Sequence, residues 1–115
     1  MKPDAGQDLT RLIRWQSALD DLIHVANRSD LRDGPSVRLD RLAVLDVLRR
    51  CVSRELDVFE LPRWAGAVQL LDRVEIDEVD ADLLTQFLFE VSSPELFDSI
   101  TVDVCQRWIE RLEHA

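Results

Sequence analysis

The residues whose spacing could do chemistry are carboxylates crowded into one short stretch of the second half of the chain. Five of the eight residues from 75 to 82 are acidic, namely Glu75, Asp77, Glu78, Asp80 and Asp82. Carboxylates this close repel one another, and a surface that carries them attracts cationic groups on a partner. The segment is therefore either a docking surface for a basic protein or a solvated loop that leads into a helix. We extend the candidate partner-binding site to three nearby acids, Asp57, Glu60 and Asp72.

The same acids do not have the spacing of a calcium loop. An EF-hand needs a glycine at its sixth position and a bidentate glutamate at its twelfth. A loop that starts at Asp77 has Asp82 and Leu88 at these positions, and a loop that starts at Asp80 has Thr85 and Val91. We expect no dedicated metal site here.

Other residues that could catalyse a reaction lack partners in the sequence. The two histidines, His24 and His114, belong to no helical metal-binding motif. Cys51 and Cys105 both lie in apolar helical patterns, where burial makes a thiol inert, and a disulfide between them is left open. The three glycines are isolated, so no glycine-rich loop could hold a phosphate. We expect a protein that is not an enzyme and has no cofactor.

The charge of the chain is segregated. Residues 1–56 hold ten basic and nine acidic residues, whereas residues 57–115 hold four basic and fourteen acidic ones. An acidic field repels nucleic acid and anionic membranes, so we expect neither as a direct partner. Arginines along the second predicted helix are expected to pair with acids of the second half; they are Arg38, Arg41, Arg49, Arg50 and Arg54.

Apolar residues recur at helical spacing around the acidic segment. The pattern predicts five helices, at about 8–27, 37–55, 62–72, 79–92 and 102–113. Ser36 and Thr101 are predicted N-caps, Asp57 and Glu60 have capping-box spacing, and Pro62 suits a first helical turn. The second helix is apolar at six of the seven positions 42–48, so it should lie in the centre of the bundle.

These elements predict an all-α fold. No segment alternates with period two, so we expect no sheet, and short connections favour a compact bundle of about five helices, mostly antiparallel neighbours. The whole of 1–115 is expected to form a single helical domain, with 1–7 as a flexible N-terminus. No apolar run is long enough for a signal peptide or a membrane span, which predicts a cytoplasmic protein.

The order of several short motifs resembles small, acidic, all-helical bacterial immunity proteins, which neutralise toxins. The motifs are Leu61-Pro62-Arg63-Trp64-Ala65, Val74-Glu75-Ile76-Asp77, Phe89-Glu90-Val91-Ser92-Ser93-Pro94-Glu95-Leu96, and Thr101 before the last helix. They cover the second half only. The resemblance implies a cognate immunity protein or antitoxin whose acidic surface binds a basic toxin domain, such as a nuclease.

A second hypothesis is a helical adaptor or oligomerising subunit. It would bind through an exposed apolar patch around Trp15, Trp64 or Phe97 instead of through carboxylates. The two hypotheses differ in whether acids or aromatic side chains form the interface, and the oligomeric state is left open.

Overall fold

The computed structural model describes residues 5–28, 36–71, 74–95 and 99–114. These residues contain six α-helices, numbered in chain order: α1 (Ala5–Arg14), α2 (Leu19–Arg28), α3 (Arg41–Val52), α4 (Leu61–Leu70), α5 (Ala81–Ser92) and α6 (Val102–Glu113). Two short strands, β1 (Val37–Leu39) and β2 (Val74–Ile76), and two 3-10 turns, Val58–Glu60 and Glu78–Asp80, complete them. The chain is thus mainly helical, as predicted, but it also contains a small sheet.

The first predicted helix, 8–27, is two helices. Helix α1 begins at Ala5, so part of the N-terminus predicted to be flexible is helical, and it ends at Arg14. The amide of Trp15 then bonds to the carbonyl of Leu12 at 3.0 Å and that of Gln16 to Arg11 at 3.1 Å. This is a Schellman motif, with Trp15 at the left-handed position that glycine usually occupies (φ 50°). No glycine marks the break, and apolar residues recur at helical spacing on both sides of it. The sequence pattern therefore predicts a single helix.

The expectation of no sheet is wrong. Strands β1 and β2 pair in parallel, with Val37 opposite Val74, Arg38 opposite Glu75 and Leu39 opposite Ile76. Each strand has only three residues, too few for a period-two pattern to be recognised.

Strand β1 occupies the first residues of the second predicted helix, so that helix begins later than predicted. Helix α3 begins at Arg41 and not at residue 37. Its N-cap is Asp40, whose carboxylate accepts a hydrogen bond from the Ala43 amide at 2.9 Å, so the prediction of Ser36 as the cap is wrong. The helix ends at Val52, and the exposed Arg54 just beyond it has a positive φ of 68°.

The predicted cap of α6 is confirmed, since Thr101 accepts from the Val104 amide at 3.3 Å. Asp57 caps the 3-10 turn that leads into α4 by accepting from the Phe59 amide at 2.9 Å. The capping box expected from Asp57 and Glu60 is therefore not formed, and Glu60 makes no side-chain cap bond at the start of α4. Pro62 lies in the first turn of α4, where its missing N–H costs nothing.

The buried apolar side chains form one cluster, to which every helix contributes. Helix α3 packs mainly on α6, and α4 on α5. Trp64 is fully buried and donates its indole N–H to the Leu12 carbonyl at 2.7 Å, which joins α4 to α1. Phe87 meets Trp108 edge to face, with ring centroids 5.2 Å apart.

Helix α3 lies partly at the surface. Val44, Leu45, Val47, Leu48 and Cys51 are buried. However, 72% of Leu42 is exposed, although the apolar run that includes it predicted a central helix.

None of the described helices is long and apolar enough to cross a bilayer.

Candidate functional site

The acidic segment, Glu75–Asp82, runs from strand β2 through a 3-10 turn into the first turn of α5. Pairing with β1 fixes its start, and the Asp77 amide extends the ladder by donating to the Leu39 carbonyl at 3.0 Å. Because the strands are parallel, the turns that follow both of them leave from the same end of the sheet. The N-terminus of α3 and the 3-10 turn before α5 thus emerge side by side.

Two acids of the segment have structural roles. Asp77 caps the 3-10 turn, with its carboxylate 3.5 Å from the Val79 amide. The Asp80 side chain is only 12% exposed and lies 3.6 Å from the Arg41 guanidinium. Arg41 also donates to the Leu112 carbonyl at 3.2 Å, so this arginine ties the segment to α3 and to the end of α6. These two carboxylates are already engaged inside the molecule.

Three acids of the segment are exposed and form no ion pair with a described residue: Glu75, Glu78 and Asp82. We refer to them as the open carboxylates. Glu78 and Asp82 are four residues apart at a helix start, where negative charge is favoured by the helix dipole. Arg38 lies opposite Glu75 in the strand register and is itself exposed, so it borders the group with a positive charge. The arrangement can attract and hold cationic side chains.

The structure does not bring the other predicted site residues to this place. Asp57 and Glu60 line a cavity of about 350 Å³ with Trp15, Arg50 and Glu55. Arg50 is nine residues along α3 from Arg41, or about 13 Å at the helical rise. Asp57 and Glu60 therefore form a separate acidic region. Asp72 lies outside the described residues.

Arg50 connects several elements of that second region through hydrogen bonds and an ion pair. Its guanidinium donates to the carbonyl of Trp15 at 3.0 Å and to that of Arg14, so it covers the C-terminus of α1. It also pairs with Asp46 at 3.2 Å. Of the predicted pairings between the arginines and the second half, Arg41 with Asp80 and Arg49 with Glu113 are present. Arg50 instead stabilises the first half.

The aromatic patch of the adaptor hypothesis is not on the surface at the two tryptophans. Trp15 is 3% exposed and Trp64 is fully buried, and their rings stack with centroids 6.1 Å apart. Phe97 lies outside the described residues. The exposed apolar side chains are others, with Leu42 and Val79 among them at 72% and 84%. Neither residue was predicted from the sequence to take part in binding, although each has acids or arginines as neighbours in the chain.

The two cysteines are a buried pair of free thiols, as predicted for each. They face each other between α3 and α6, where the thiol of Cys51 hydrogen bonds to Cys105. This bond and burial raise the pKa of Cys51 far above its ordinary value. The described residues contain no group of three or more His, Cys, Asp and Glu placed to hold a metal ion.

A small cleft of about 140 Å³ lies between α5 and α6. Glu90, Arg107 and Arg111 line its rim, and Ile100 and Trp108 contribute to its apolar wall. The Arg111 guanidinium lies over the Trp108 ring, 4.0 Å from its centroid, in a cation–π contact. This stacking gives Arg111 a packing role.

Comparison with known protein families, with curated proteins and with solved structures finds no match to this chain.

Proposed function

We propose that this chain is a binding protein, a cognate immunity protein or antitoxin that neutralises a basic toxin domain in the cytoplasm. The observation that carries the proposal is the set of open carboxylates, three exposed acids on a rigid strand-to-helix connection. The motif order of the second half supports the same reading. A nuclease active site binds phosphates through basic groups, so carboxylates can occupy the places of the phosphates.

The support differs between the acids of the predicted site. The three open carboxylates are available to a partner without breaking an ion pair to any residue that the structure describes. Asp77 and Asp80 would have to give up a cap and an ion pair, so we assign them to positioning the segment. Asp57 and Glu60 belong to the region around Arg50, which lies at the C-terminal end of α3, whereas the open carboxylates lie near its N-terminal end.

The test is protection against the toxin that the proposal implies. The C-terminal domain of the protein encoded by the adjacent reading frame is expressed in a bacterial host, alone and together with this chain. We expect the domain to stop growth and the wild-type chain to restore it. The triple variant E75K/E78K/D82K should fail to restore growth, because reversed charges repel a basic surface.

A matched control reverses three exposed acids outside the segment, in the variant E95K/D103K/E110K. It has the same net charge as the test variant and should still protect. Equal protection by both variants would contradict the assignment of the open carboxylates, and a host that grows normally with the domain alone would contradict the toxin as partner.

A further inference from the structure

Two exposed apolar side chains lie at the end of the sheet where the acidic segment begins. Leu42 is 72% exposed and Val79 is 84% exposed. Each follows its strand by three residues, Leu42 after Leu39 and Val79 after Ile76, and these two strand residues are register partners. Because the strands are parallel, Leu42 and Val79 both lie at the same end of the sheet.

An ion pair holds their neighbours together. Arg41 and Asp80, which precede Leu42 and follow Val79, meet at 3.6 Å. The two apolar residues thus flank one cross-link between the start of α3 and the 3-10 turn. Because this cross-link and the strand ladder fix both backbones, the two side chains are presented with little loss of backbone entropy on binding.

Charge surrounds the apolar residues. Val79 is preceded by Glu78 and followed three residues later by Asp82, and both are open carboxylates. Protein interfaces combine an apolar centre with a polar rim, and large exposed apolar side chains inside a charged border are typical of such sites.

We propose that Leu42 and Val79 form the apolar centre of a docking surface whose rim is the open carboxylates. The occupant is a basic protein surface that presents at least one aliphatic or aromatic side chain among lysines and arginines. Charge complementarity selects this partner, since nucleic acid and anionic lipid would be repelled by the same rim. The proposal rests on the proposed function and adds to it the contact that slows dissociation.

The charged rim and the apolar centre should affect different rate constants of binding. Charges on the rim accelerate encounter and lose their effect as salt screens them. Buried apolar contacts act on the dissociation rate and are much less sensitive to salt. Removing both apolar side chains should therefore weaken binding about tenfold or more at every ionic strength.

Two synthetic peptides of equal length and charge serve as probes, an amphipathic Lys/Leu helix and a Lys/Gly chain. Their affinities are measured by fluorescence anisotropy for the wild type, L42S/V79S, E75K/E78K/D82K and the control F59S. Phe59 is 83% exposed and stands between Asp57 and Glu60, so it matches the chemistry of the proposed centre at the other end of α3. All substituted side chains are at the surface, and circular dichroism verifies that each variant is folded.

The proposal predicts that L42S/V79S weakens the Lys/Leu peptide about tenfold or more and leaves the Lys/Gly peptide unchanged, whereas F59S changes neither. Unchanged Lys/Leu affinity in L42S/V79S, with both peptides weakened by E75K/E78K/D82K, would overturn this proposal and leave the proposed function standing. A loss in F59S instead would overturn the location. If E75K/E78K/D82K changed neither affinity, the proposed function would fail, and this proposal with it.

Discussion

The individual carboxylates of the acidic segment differ in the contacts that they make inside the molecule. Asp77 satisfies a backbone amide and Asp80 a guanidinium, so each stabilises the fold at the position where it stands. Glu75, Glu78 and Asp82 have no such contact with a described residue and are free to act on a partner. Function at this scale depends on which carboxylates remain open, a property that a count of charges does not reveal.

Two adjacent arginines of α3 offer a direct test of residue roles. Arg50 covers two carbonyls at the end of α1, and its side chain is 23% exposed. Arg49 makes a surface ion pair with Glu113, in which the two side chains are 56% and 45% exposed. Arg50→Met should cost about 2 kcal/mol, because charge-assisted hydrogen bonds to the backbone are lost. Arg49→Met should cost about 0.5 kcal/mol or less.

Urea unfolding of both variants measures the difference. Equal losses for Arg49→Met and Arg50→Met would show that Arg50 does not hold the break between α1 and α2.

The buried thiol pair predicts how stability depends on alkaline pH. The raised pKa keeps the folded Cys51 protonated, whereas the thiol of the unfolded chain ionises above about pH 8.5. The same hydrogen bond lowers the pKa of Cys105, so that thiol loses its proton in both states at alkaline pH. The folded pair then keeps one proton that the unfolded chain has lost, and the free energy of unfolding falls as pH rises past that value. The slope approaches about 1.4 kcal/mol per pH unit for one group. Below about pH 8 the contribution is complete.

Urea midpoints between pH 7 and pH 10, under reducing conditions, measure this decline. The chain has no tyrosine and a single lysine, Lys2, so few other side chains titrate there. The double variant Cys51→Ala/Cys105→Ala, which removes both buried thiols, should flatten the decline, even though it lowers stability at pH 7. An unchanged slope in this double variant would refute the account.

At the scale of elements, the two strands position the site. Each has the pattern Val-x-(Leu/Ile)-Asp, at 37–40 and at 74–77, and each ends in an aspartate that caps the turn after it. Helical periodicity predicted α4, α5 and α6 nearly to their ends, because each has an apolar stripe and a marked start. It could not predict the strand pair, whose partners lie 37 residues apart and whose contact is made by backbone groups.

Burial explains the remaining errors of the sequence analysis. Trp15 was a candidate for an exposed patch and is buried against Trp64, whereas Leu42 was expected inside and is exposed. Both outcomes depend on the break after Arg14 and on the late start of α3, which are set by tertiary contacts. The acidic segment itself was recognisable from residue types, but the division between Asp80 and the open carboxylates required the position of Arg41.

Cap geometry predicts which of the two aspartates that follow the strands contributes more to the stability of the protein. The Asp40 carboxylate lies 2.9 Å from its amide partner, and that of Asp77 lies 3.5 Å away. Asp40→Ala should cost about 1 kcal/mol of stability, a typical value for a helix N-cap. Asp77→Ala should cost clearly less, because the longer bond is weaker. Denaturant titration of the two variants gives the order, and a larger loss for Asp77→Ala would contradict it.

At the scale of the whole molecule, one apolar core supports two acidic regions at different ends of α3. The region at the end of the sheet combines the open carboxylates with two exposed apolar residues, whereas the region around Asp57 and Glu60 has one, Phe59, and its contacts include those of Arg50. Since a net charge of −9 attracts basic proteins to the molecule as a whole, the location of contact distinguishes a docking surface from general attraction.

The most direct measurement is a titration of the ¹⁵N-labelled protein with the Lys/Leu peptide, followed residue by residue by NMR. We predict that the amide signals of Glu75–Asp82 and of the first turn of α3 shift most, with saturation at a single affinity. Shifts centred on residues 55–60, or spread evenly over all acidic surfaces, would contradict the account.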